Sequence, residues 1–273
     1  MQLFGFDGHD DRVGNQLLAA CWLFSQQFET RIRQIPSWRA YCKTCGSLQE
    51  IECGADDAPV DLREGLLCRH CGLNARIRAA FGLLGDLAGR DVYITEQTTP
   101  AFVWLQQRCS RLRGSEFEPD AAKREALGAQ LQAIGGEGPV EFEDVTRLTH
   151  ADGSLDSVVS FDVLEHVPDY RGAFSEFARV LKPGGTLVAT FPFTDGATTL
   201  VRATIDASGE LVHLMEPEYH GDPISGGVLC FHHFGWDVLD TVREVGFSQA
   251  RMVMPWAPEQ GLFYGLWTLV ATR

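Results

Sequence analysis

The chain has 273 residues, of which 45% are hydrophobic and 22% charged, as in an ordinary globular protein. Its formal net charge at pH 7 is −14, and residues 91–273 carry 13 Lys and Arg against 26 Asp and Glu. Proteins bind a phosphate backbone through basic side chains, so this composition argues against a nucleic-acid-binding protein.

No targeting signal is recognisable near the N-terminus. The stretch MQLFGFDGHDDR lacks the basic start of a secretory signal. The apolar run LLAACWLF has 8 residues, too few to cross a bilayer. We therefore expect a cytoplasmic protein without a membrane segment. In a reducing compartment, its eight cysteines need a role other than disulfide formation.

Residues 1–90 are predicted to form a domain of their own, a helix followed by a small lobe. Apolar residues within 14–34 recur at the spacing of an amphipathic helix. Residues 40–75 are interrupted by Cys and Gly and show no regular periodicity. The pattern of 73–89 predicts a second helix, which Gly89 would end.

Two Cys-x-x-Cys-Gly motifs, YCKTCG at 41–46 and LCRHCG at 67–72, predict a metal site in this lobe. Two tight turns that each present two thiolates make the tetrahedral cage that zinc prefers. A redox dithiol is the alternative. Because four cysteines leave no open coordination position, we predict a structural Zn²⁺. The predicted ligands are Cys42, Cys45, Cys68 and Cys71. Cys21, Cys109 and Cys230 are predicted to be buried small hydrophobic residues.

From residue 91 onward, predicted strands alternate with predicted helices. Nearly continuous apolar segments such as DVYIT (91–95) and DSVVSFDVL (156–164) indicate buried strands, and VEFEDV (140–145) indicates another. ARMVMPW and GLFYGLWTLVATR are expected to complete the sheet as an antiparallel pair. This alternation predicts an α/β domain with a buried, mostly parallel sheet.

Residues 144–193 contain two motifs, DGSLDSVVSFDVLEHV and ARVLKPGGTLV. They closely resemble the fourth-strand and fifth-strand signatures of class I S-adenosylmethionine-dependent methyltransferases of type 11. The resemblance implies a Rossmann-like, seven-stranded, mostly parallel sheet with flanking helices over residues 91–273. The zinc-ribbon-like lobe within residues 1–90 lies outside that general fold.

Acidic residues stand at the predicted carboxyl ends of successive strands, where an open parallel sheet binds its ligand. Glu116 follows Glu96 by 20 residues, the usual interval for a carboxylate that accepts from ribose hydroxyls. By resemblance, Asp144 would accept from the adenine amino group, and Asp162 would lie at the methionine end. Each carboxylate alone could instead be a solvated charge. The residues predicted to bind S-adenosylmethionine are Glu96, Gln97, Thr98, Glu116, Phe117, Asp144, Val145, Phe161 and Asp162.

The turn after the first of these strands, DVYITEQTTPAF, lacks the Gly-x-Gly that the family normally has there. Glu96 keeps the acidic position that could accept from the ammonium group of the cofactor. We predict that the side chains of Gln97 and Thr98 replace the usual backbone cradle, and that helix N-terminal amides add positive charge.

The stretch after the fifth strand is rich in His and aromatic residues, and by resemblance it would form the acceptor pocket. A histidine with a pKa near neutral can take a proton from a hydroxyl or amine during methylation. The segment EPEYHGDP offers His220 beside Tyr219, with Glu218 or Asp222 to orient it. His166 is the competing base. A structural role is the alternative for each histidine.

These features predict an S-adenosylmethionine-dependent methyltransferase that acts on a small molecule, a sugar or a biosynthetic intermediate. One alternative is an RNA methyltransferase that uses the zinc lobe as its reader. Another is a degenerate, non-catalytic methyltransferase fold used for binding, because the first turn lacks its glycines. The oligomeric state stays open. The basic residues that flank the two cysteine motifs are Arg31, Arg33, Arg39, Lys43, Arg69, Arg76 and Arg78.

Overall fold

The computed structural model describes residues 1–13, 15–32, 35–53, 60–221 and 227–273. The helices are His9–Arg12 (α1), Gln16–Ile32 (α2), Ala75–Phe81 (α3), Pro100–Gln106 (α4), Ala121–Ala133 (α5), Tyr170–Val180 (α6) and Val238–Glu244 (α7), with 3₁₀ turns at Leu164–His166 and Pro258–Gln260. The strands are Gln2–Phe6 (β1), Ser37–Cys42 (β2), Ser47–Glu52 (β3), Leu67–Cys68 (β4), Asp91–Ile94 (β5), Arg111–Gly114 (β6), Leu155–Phe161 (β7), Leu181–Thr190 (β8), Leu200–Val201 (β9), Ala203–Ile205 (β10), Leu211–His213 (β11), Tyr219–His220 (β12), Val228–Leu229 (β13), His232–His233 (β14), Gln249–Trp256 (β15) and Thr268–Thr272 (β16).

The main sheet has seven strands in the order β1-β15-β16-β8-β7-β5-β6. Strands β6, β5, β7 and β8 run parallel to one another, whereas β16 pairs antiparallel with both β8 and β15. The predicted Rossmann-like α/β fold and the terminal antiparallel pair are confirmed. All helices are too short or too polar to cross a membrane, within the part of the chain that the structure describes.

Two edges of the sheet differ from the sequence prediction. The segment VEFEDV does not form a paired strand, and it contributes only an isolated parallel bridge between Glu116 and Phe142. At the other edge, Gln2–Phe6 pairs antiparallel with β15. Residues at the N-terminus therefore belong to the main sheet, and the predicted domain boundary at residue 90 stays a prediction.

Helix α6 illustrates how the sequence builds the layers around the sheet. Asp169 caps its N-terminus by accepting from the Gly172 amide at 2.9 Å. Phe174 and Phe177 are fully buried on one face of the helix, in the same apolar cluster as β7 and β8. The pleated strands and the amphipathic helix thus bury a shared core, as expected for this fold.

Residues 37–53 and 60–73 form the cysteine lobe, in which β2, β3 and β4 make a small antiparallel sheet. Its core joins α2 and the segment before β16, where the rings of Phe28 and Phe263 stack at a centroid distance of 4.2 Å. Helix α3 follows directly and ends earlier than predicted, at Phe81. Its residues Ile77 and Phe81 belong to the apolar cluster that contains β5 and β7. The lobe is thereby packed against the main sheet.

Candidate active site and cysteine cluster

The four predicted metal ligands come together in the cysteine lobe. Their sulfur atoms all lie within 4.8 Å of one another. The Sγ–Sγ distances are 4.0 Å from Cys42 to Cys71 and 3.7 Å from Cys45 to Cys68. These separations fit the edges of a zinc tetrahedron, which are about 3.8 Å for Zn–S bonds of ~2.3 Å. The cluster has the donor set and the spacing that a tetrahedral zinc ion requires.

The local backbone explains why a glycine follows each motif. Gly46 and Gly72 have φ values of +70° and +69°, which favour glycine. The Gly72 amide donates to the Cys68 carbonyl at 2.8 Å and closes the turn. The environment of the cluster shifts the pKa values of its thiols. A hydrogen bond with Cys71 lowers the pKa of Cys42 to about 4, and burial raises the pKa of Cys45 to about 12. A bound cation would stabilise the additional thiolates.

Cys21, Cys109 and Cys230 are all buried, as predicted, with exposed fractions of 4%, 4% and 0%.

The glycine-free turn after β5 is held by its own side chains. Glu116 accepts from both the amide and the hydroxyl of Thr98, at 2.6 and 2.5 Å. Buried Gln97 donates to the Pro139 carbonyl at 2.7 Å and accepts from the Glu141 amide at 3.0 Å. Gln97 and Thr98 therefore tie the turn to β6 and to the segment after α5.

Glu96 is a buried acid at the end of β5. Its Oε2 accepts from the Thr95 hydroxyl at 2.5 Å, and its Oε1 has no hydrogen-bond partner among the described residues. Burial raises the pKa of Glu96 well above its usual range, more than the hydrogen bond from Thr95 lowers it. A cation next to Oε1 would satisfy this carboxylate.

Asp162, just past the end of β7, is bound by two arginines that reach over from the cysteine lobe and α3. Arg63 contacts its two oxygens at 2.7 and 2.8 Å, and Arg76 lies 3.4 Å from Oδ2. Asp162 has a φ of +53°, and its Oδ1 accepts from the Thr190 hydroxyl at 2.9 Å. Burial acts to raise the pKa of Asp162, but Arg76 and Arg63 outweigh it and hold the pKa below its usual range.

A cavity of about 310 Å³ lies between helix α3 and the glycine-free turn. Arg76 and Glu96 both line it, and Phe161 contributes to its wall. Arg76 also binds Glu64 through Nε and Nη2, at 2.7 and 2.9 Å, which fixes the guanidinium at this wall. One cavity thus contains a basic and an acidic side chain.

Beyond β6, two aromatic rings are exposed side by side. Phe117 is 72% exposed and Phe142 is 40% exposed, with ring centroids 5.8 Å apart. Asp144 accepts from the amide and the hydroxyl of Thr146 at 2.9 and 2.7 Å, and Val145 is buried. The predicted adenine end therefore carries exposed aromatic faces.

The predicted histidine bases meet above the end of β7. The rings of His166 and His220 are 4.9 Å apart, and His166 Nδ1 lies 2.9 Å from the Leu229 carbonyl oxygen. The carboxylate of Glu165, followed by that of Glu218, raises the pKa of His220 to about 8 although burial opposes it. Tyr219 is 59% exposed, and Asp222 lies outside the described residues.

A second cavity has a volume of about 290 Å³. It is lined by Arg63, Thr194, His233, Gly265 and a set of aromatic and apolar residues. The latter are Phe191, Pro192, Phe193 and Trp267.

Residues 98–189 match a protein-family model described as a methyltransferase domain. Among curated proteins, the chain is 28% identical over 189 residues to a probable S-adenosylmethionine-dependent methyltransferase of Mycolicibacterium smegmatis, covering 62% of this chain and 68% of that protein. It is also 36% identical over 125 residues to a sterol 24-C-methyltransferase of Aspergillus fumigatus, covering 43% of this chain and 29% of that one. The chain carries an S-adenosylmethionine-dependent methyltransferase domain.

A solved S-adenosylmethionine-dependent methyltransferase from Mesorhizobium loti aligns with 71% of this chain and 96% of its own, at 20% identity and a TM-score of 0.47. The chain spans less than a third of the length of the sterol methyltransferases that it matches.

The methyltransferase domain has site residues that sequence reasoning missed. Arg76 was considered only as part of a surface that reads RNA, and Arg63 was not considered at all, yet both contact Asp162. Glu165 was passed over as part of LEHV, although its side chain is fully buried among histidines. No spacing rule connects these residues, because the fold brings them together from distant parts of the chain.

Proposed function

We propose that this methyltransferase transfers the methyl group of S-adenosylmethionine to a small molecule, such as a sugar or a biosynthetic intermediate. The observation that carries this proposal is the cavity that Glu96 and Arg76 line together. The amino-acid end of the cofactor carries one ammonium and one carboxylate group, so a wall with one side chain of each charge is complementary to it.

The side chain of Arg76 can take over the role of the missing glycines. Its guanidinium has five N–H donors. Its contacts with Glu64 and Thr190 use three of them. We infer that Arg76 binds the cofactor carboxylate, which the backbone of a glycine-rich turn would otherwise approach. The buried Oε1 of Glu96 would accept from the ammonium group. In this arrangement Gln97 and Thr98 shape the turn and do not contact the cofactor.

The adenosine end would lie along the sheet edge toward β6. Glu116 would accept from the ribose while it still holds Thr98, and the exposed face of Phe117 would stack on the adenine ring. Asp144, Val145 and Phe161 keep the roles predicted from the resemblance. When bound, the cofactor supplies a methyl group that its sulfonium already activates, so the protein has to align the acceptor and exclude water.

The second cavity supports a small acceptor. Its volume of about 290 Å³ and its aromatic walls suit a compact molecule, and Arg63, which lines it, also binds Asp162 at the end of β7. His233 lines it and would contact a polar group of the acceptor.

Several basic residues that would favour an RNA substrate are already engaged within the protein. Arg78 is buried and donates to the carbonyls of Gln260 and Leu66 at 2.6 and 2.9 Å. Arg69 pairs with Glu50 and Glu52. Arg33 lies outside the described residues. These contacts leave fewer cations for a phosphate backbone, which supports a small acceptor over RNA.

We further propose that the four-cysteine cluster holds a structural zinc ion. All four positions are thiols, so no coordination site stays open for catalysis. The ion would fix the two turns that precede α3, and α3 carries Arg76.

The test has two parts. First, calorimetric titration with S-adenosylmethionine should show binding to the wild-type protein and to Glu125→Gln, a control on the exposed face of α5. Glu96→Gln should bind at least about tenfold more weakly, because it loses a charge-assisted hydrogen bond to the ammonium group. Unchanged affinity of Glu96→Gln would refute the placement of the amino-acid end.

Second, the transfer of a radiolabelled methyl group is measured for a panel of sugars and small hydroxylated or amino compounds, and in parallel for bulk RNA. We expect labelled small-molecule products. Labelled RNA with no labelled small molecule would overturn the proposed acceptor class and favour the zinc lobe as an RNA reader. Cofactor binding with neither a labelled product nor S-adenosylhomocysteine would overturn the transferase proposal and favour a non-catalytic binding role.

A further inference from the structure

A second group of potential metal ligands lies at the end of β7, outside the cysteine cluster. The carboxylate of Glu165 and one ring nitrogen each of His166 and His220 lie within 4.8 Å of one another. We propose that these three residues bind a divalent transition-metal ion, with zinc as the reference ion. Two histidines and one carboxylate are a known ligand set for zinc and for non-haem iron.

Glu165 provides the first argument. Its side chain is 0% exposed, and neither of its carboxylate oxygens has a hydrogen-bond partner among the described residues. A buried carboxylate without partners is costly, and buried charges are normally paired or coordinate metals. In the described part of the chain, its ion-pair partners are the two histidines. A cation between the three side chains would satisfy the carboxylate.

The hydrogen bonds of the two imidazoles provide the second argument. His166 Nδ1 is 2.9 Å from the Leu229 carbonyl oxygen, which can only accept, so this nitrogen carries a proton. His220 Nε2 is 3.1 Å from a carboxylate oxygen of Glu218 and donates to it. In the neutral rings, the other nitrogens therefore present lone pairs, and both of these face Glu165.

The distances provide the third argument. From Glu165 Oε1 to His166 Nε2 is 3.7 Å, and to His220 Nδ1 it is 3.5 Å. Both exceed the usual length of an N–H···O hydrogen bond, about 2.7–3.2 Å. They match two ligand atoms that share one ion, because bonds of ~2.0–2.2 Å at a tetrahedral angle separate the ligand atoms by about 3.4 Å.

The hydrogen-bond partners of the two histidines are those expected around a bound metal ion. Metal-bound histidines usually donate their second N–H to a carbonyl or a carboxylate, as His166 and His220 do here. Glu218 is itself held by Arg202 at 3.1 Å and by His233 at 3.0 Å. We therefore assign Glu218 as a positioning residue for His220 and not as a ligand.

Three protein ligands leave one tetrahedral position open. Glu165 follows Asp162 by three residues, so the open position would lie near the carboxyl ends of the parallel strands. If the proposed function holds, a hydroxyl group of the acceptor can occupy this position, where a metal ion lowers its pKa. The two histidines that sequence reasoning predicted as bases would then act as ligands.

The experiment measures metal content and needs neither cofactor nor acceptor, so its failure is distinct from failure of the proposed function. The wild-type chain, Glu165→Gln, His166→Ala and the control His213→Ala are equilibrated with zinc and analysed by mass spectrometry for bound metal. His213 is an exposed histidine on β11. We expect Glu165→Gln and His166→Ala to hold one zinc equivalent fewer than the wild-type chain and His213→Ala.

Glu218→Gln tests the positioning role. It should keep the wild-type zinc stoichiometry under saturating zinc but weaken affinity for the second ion by about 10–100-fold. Glu165→Gln is nearly isosteric, and circular dichroism checks that it is folded. A folded Glu165→Gln variant with the same zinc content as the wild-type chain would overturn the proposal. A wild-type chain that binds no zinc beyond the cysteine cluster would do so as well.

Discussion

Arg76→Gln tests whether the cysteine lobe is fixed to the methyltransferase sheet through a buried ion-pair network. The Arg76 side chain is 11% exposed and contacts Glu64 at 2.7 Å, Thr190 at 3.0 Å and Asp162 at 3.4 Å. Breaking a buried ion pair costs about 3–5 kcal/mol. Because Arg63 also pairs with Asp162 and Glu64, we expect the lower end, about 3 kcal/mol.

At ~2–4 °C per kcal/mol for a protein of this size class, the Tm of Arg76→Gln should fall by about 6–12 °C. Arg69→Gln is the matched control, since Arg69 also bridges two glutamates, Glu50 at 2.9 Å and Glu52 at 2.7 Å. Its side chain is 50% exposed, and exposed ion pairs contribute little, so its Tm should stay close to that of the wild type.

Thermal unfolding is followed by circular dichroism at a fixed zinc concentration, and S-adenosylmethionine affinity is measured well below both transitions. Arg76→Gln should also bind the cofactor at least about tenfold more weakly, because it loses a charge-assisted hydrogen bond, whereas Arg69→Gln should bind normally. Equal Tm changes in the two variants would refute the network. A large loss of stability with unchanged cofactor affinity would refute the role of Arg76 as a cofactor ligand.

Three other changes test separate parts of the structure. Because burial raises the pKa of Glu96 and its ionised form would pair with the ammonium group, cofactor binding should favour loss of the Glu96 proton. Affinity should therefore rise with pH above the usual titration range of a glutamate in the wild-type chain and stay flat in Glu96→Gln, as titrations at several pH values would show. Cys42→Ser should lose the zinc of the cysteine cluster and lower Tm by at least about 10 °C, whereas Cys109→Ala should keep the zinc, as measured by metal analysis and thermal unfolding. A Cβ at Gly235 would lie 2.4 Å from a backbone carbonyl carbon, so Gly235→Ala should lower the free energy of unfolding by about 2 kcal/mol or more. Gly128 lies in open space within α5, so Gly128→Ala should raise it by ~0.5–1 kcal/mol. Denaturant midpoints distinguish the two results.

The sequence predicted those parts of the fold that depend on local patterns. Alternating apolar strands and capped helices identify β5, β7 and α6, and the spacing of the Cys-x-x-Cys motifs identifies the cysteine cluster. The pairing of β1 with β15 was not predicted, because its register joins Gln2 to Trp256 across nearly the whole chain. The sequence wrongly predicted a paired strand at VEFEDV, because the apolar pattern of this segment is typical of one.

The candidate site was predicted only in part, for the same reason. Carboxylates at strand ends are visible in the sequence because strand ends are local features. Arg63 and Asp162 are 99 residues apart in the sequence, and no periodic pattern predicts their contact. Glu165 and His220 come from different segments that meet only in the folded chain. Sequence reasoning therefore located the acidic edge of the sheet and missed the cations that lie on it.

Helix α3 begins four residues after Cys71, and Arg76 is its second residue. Because so short a connection joins the thiols to that guanidinium, removing the proposed zinc, whether by chelation or by oxidation of the sulfur atoms, would also disorder one wall of the cavity proposed for the cofactor. Catalytic capacity would then depend on zinc supply and on the redox state of the cell.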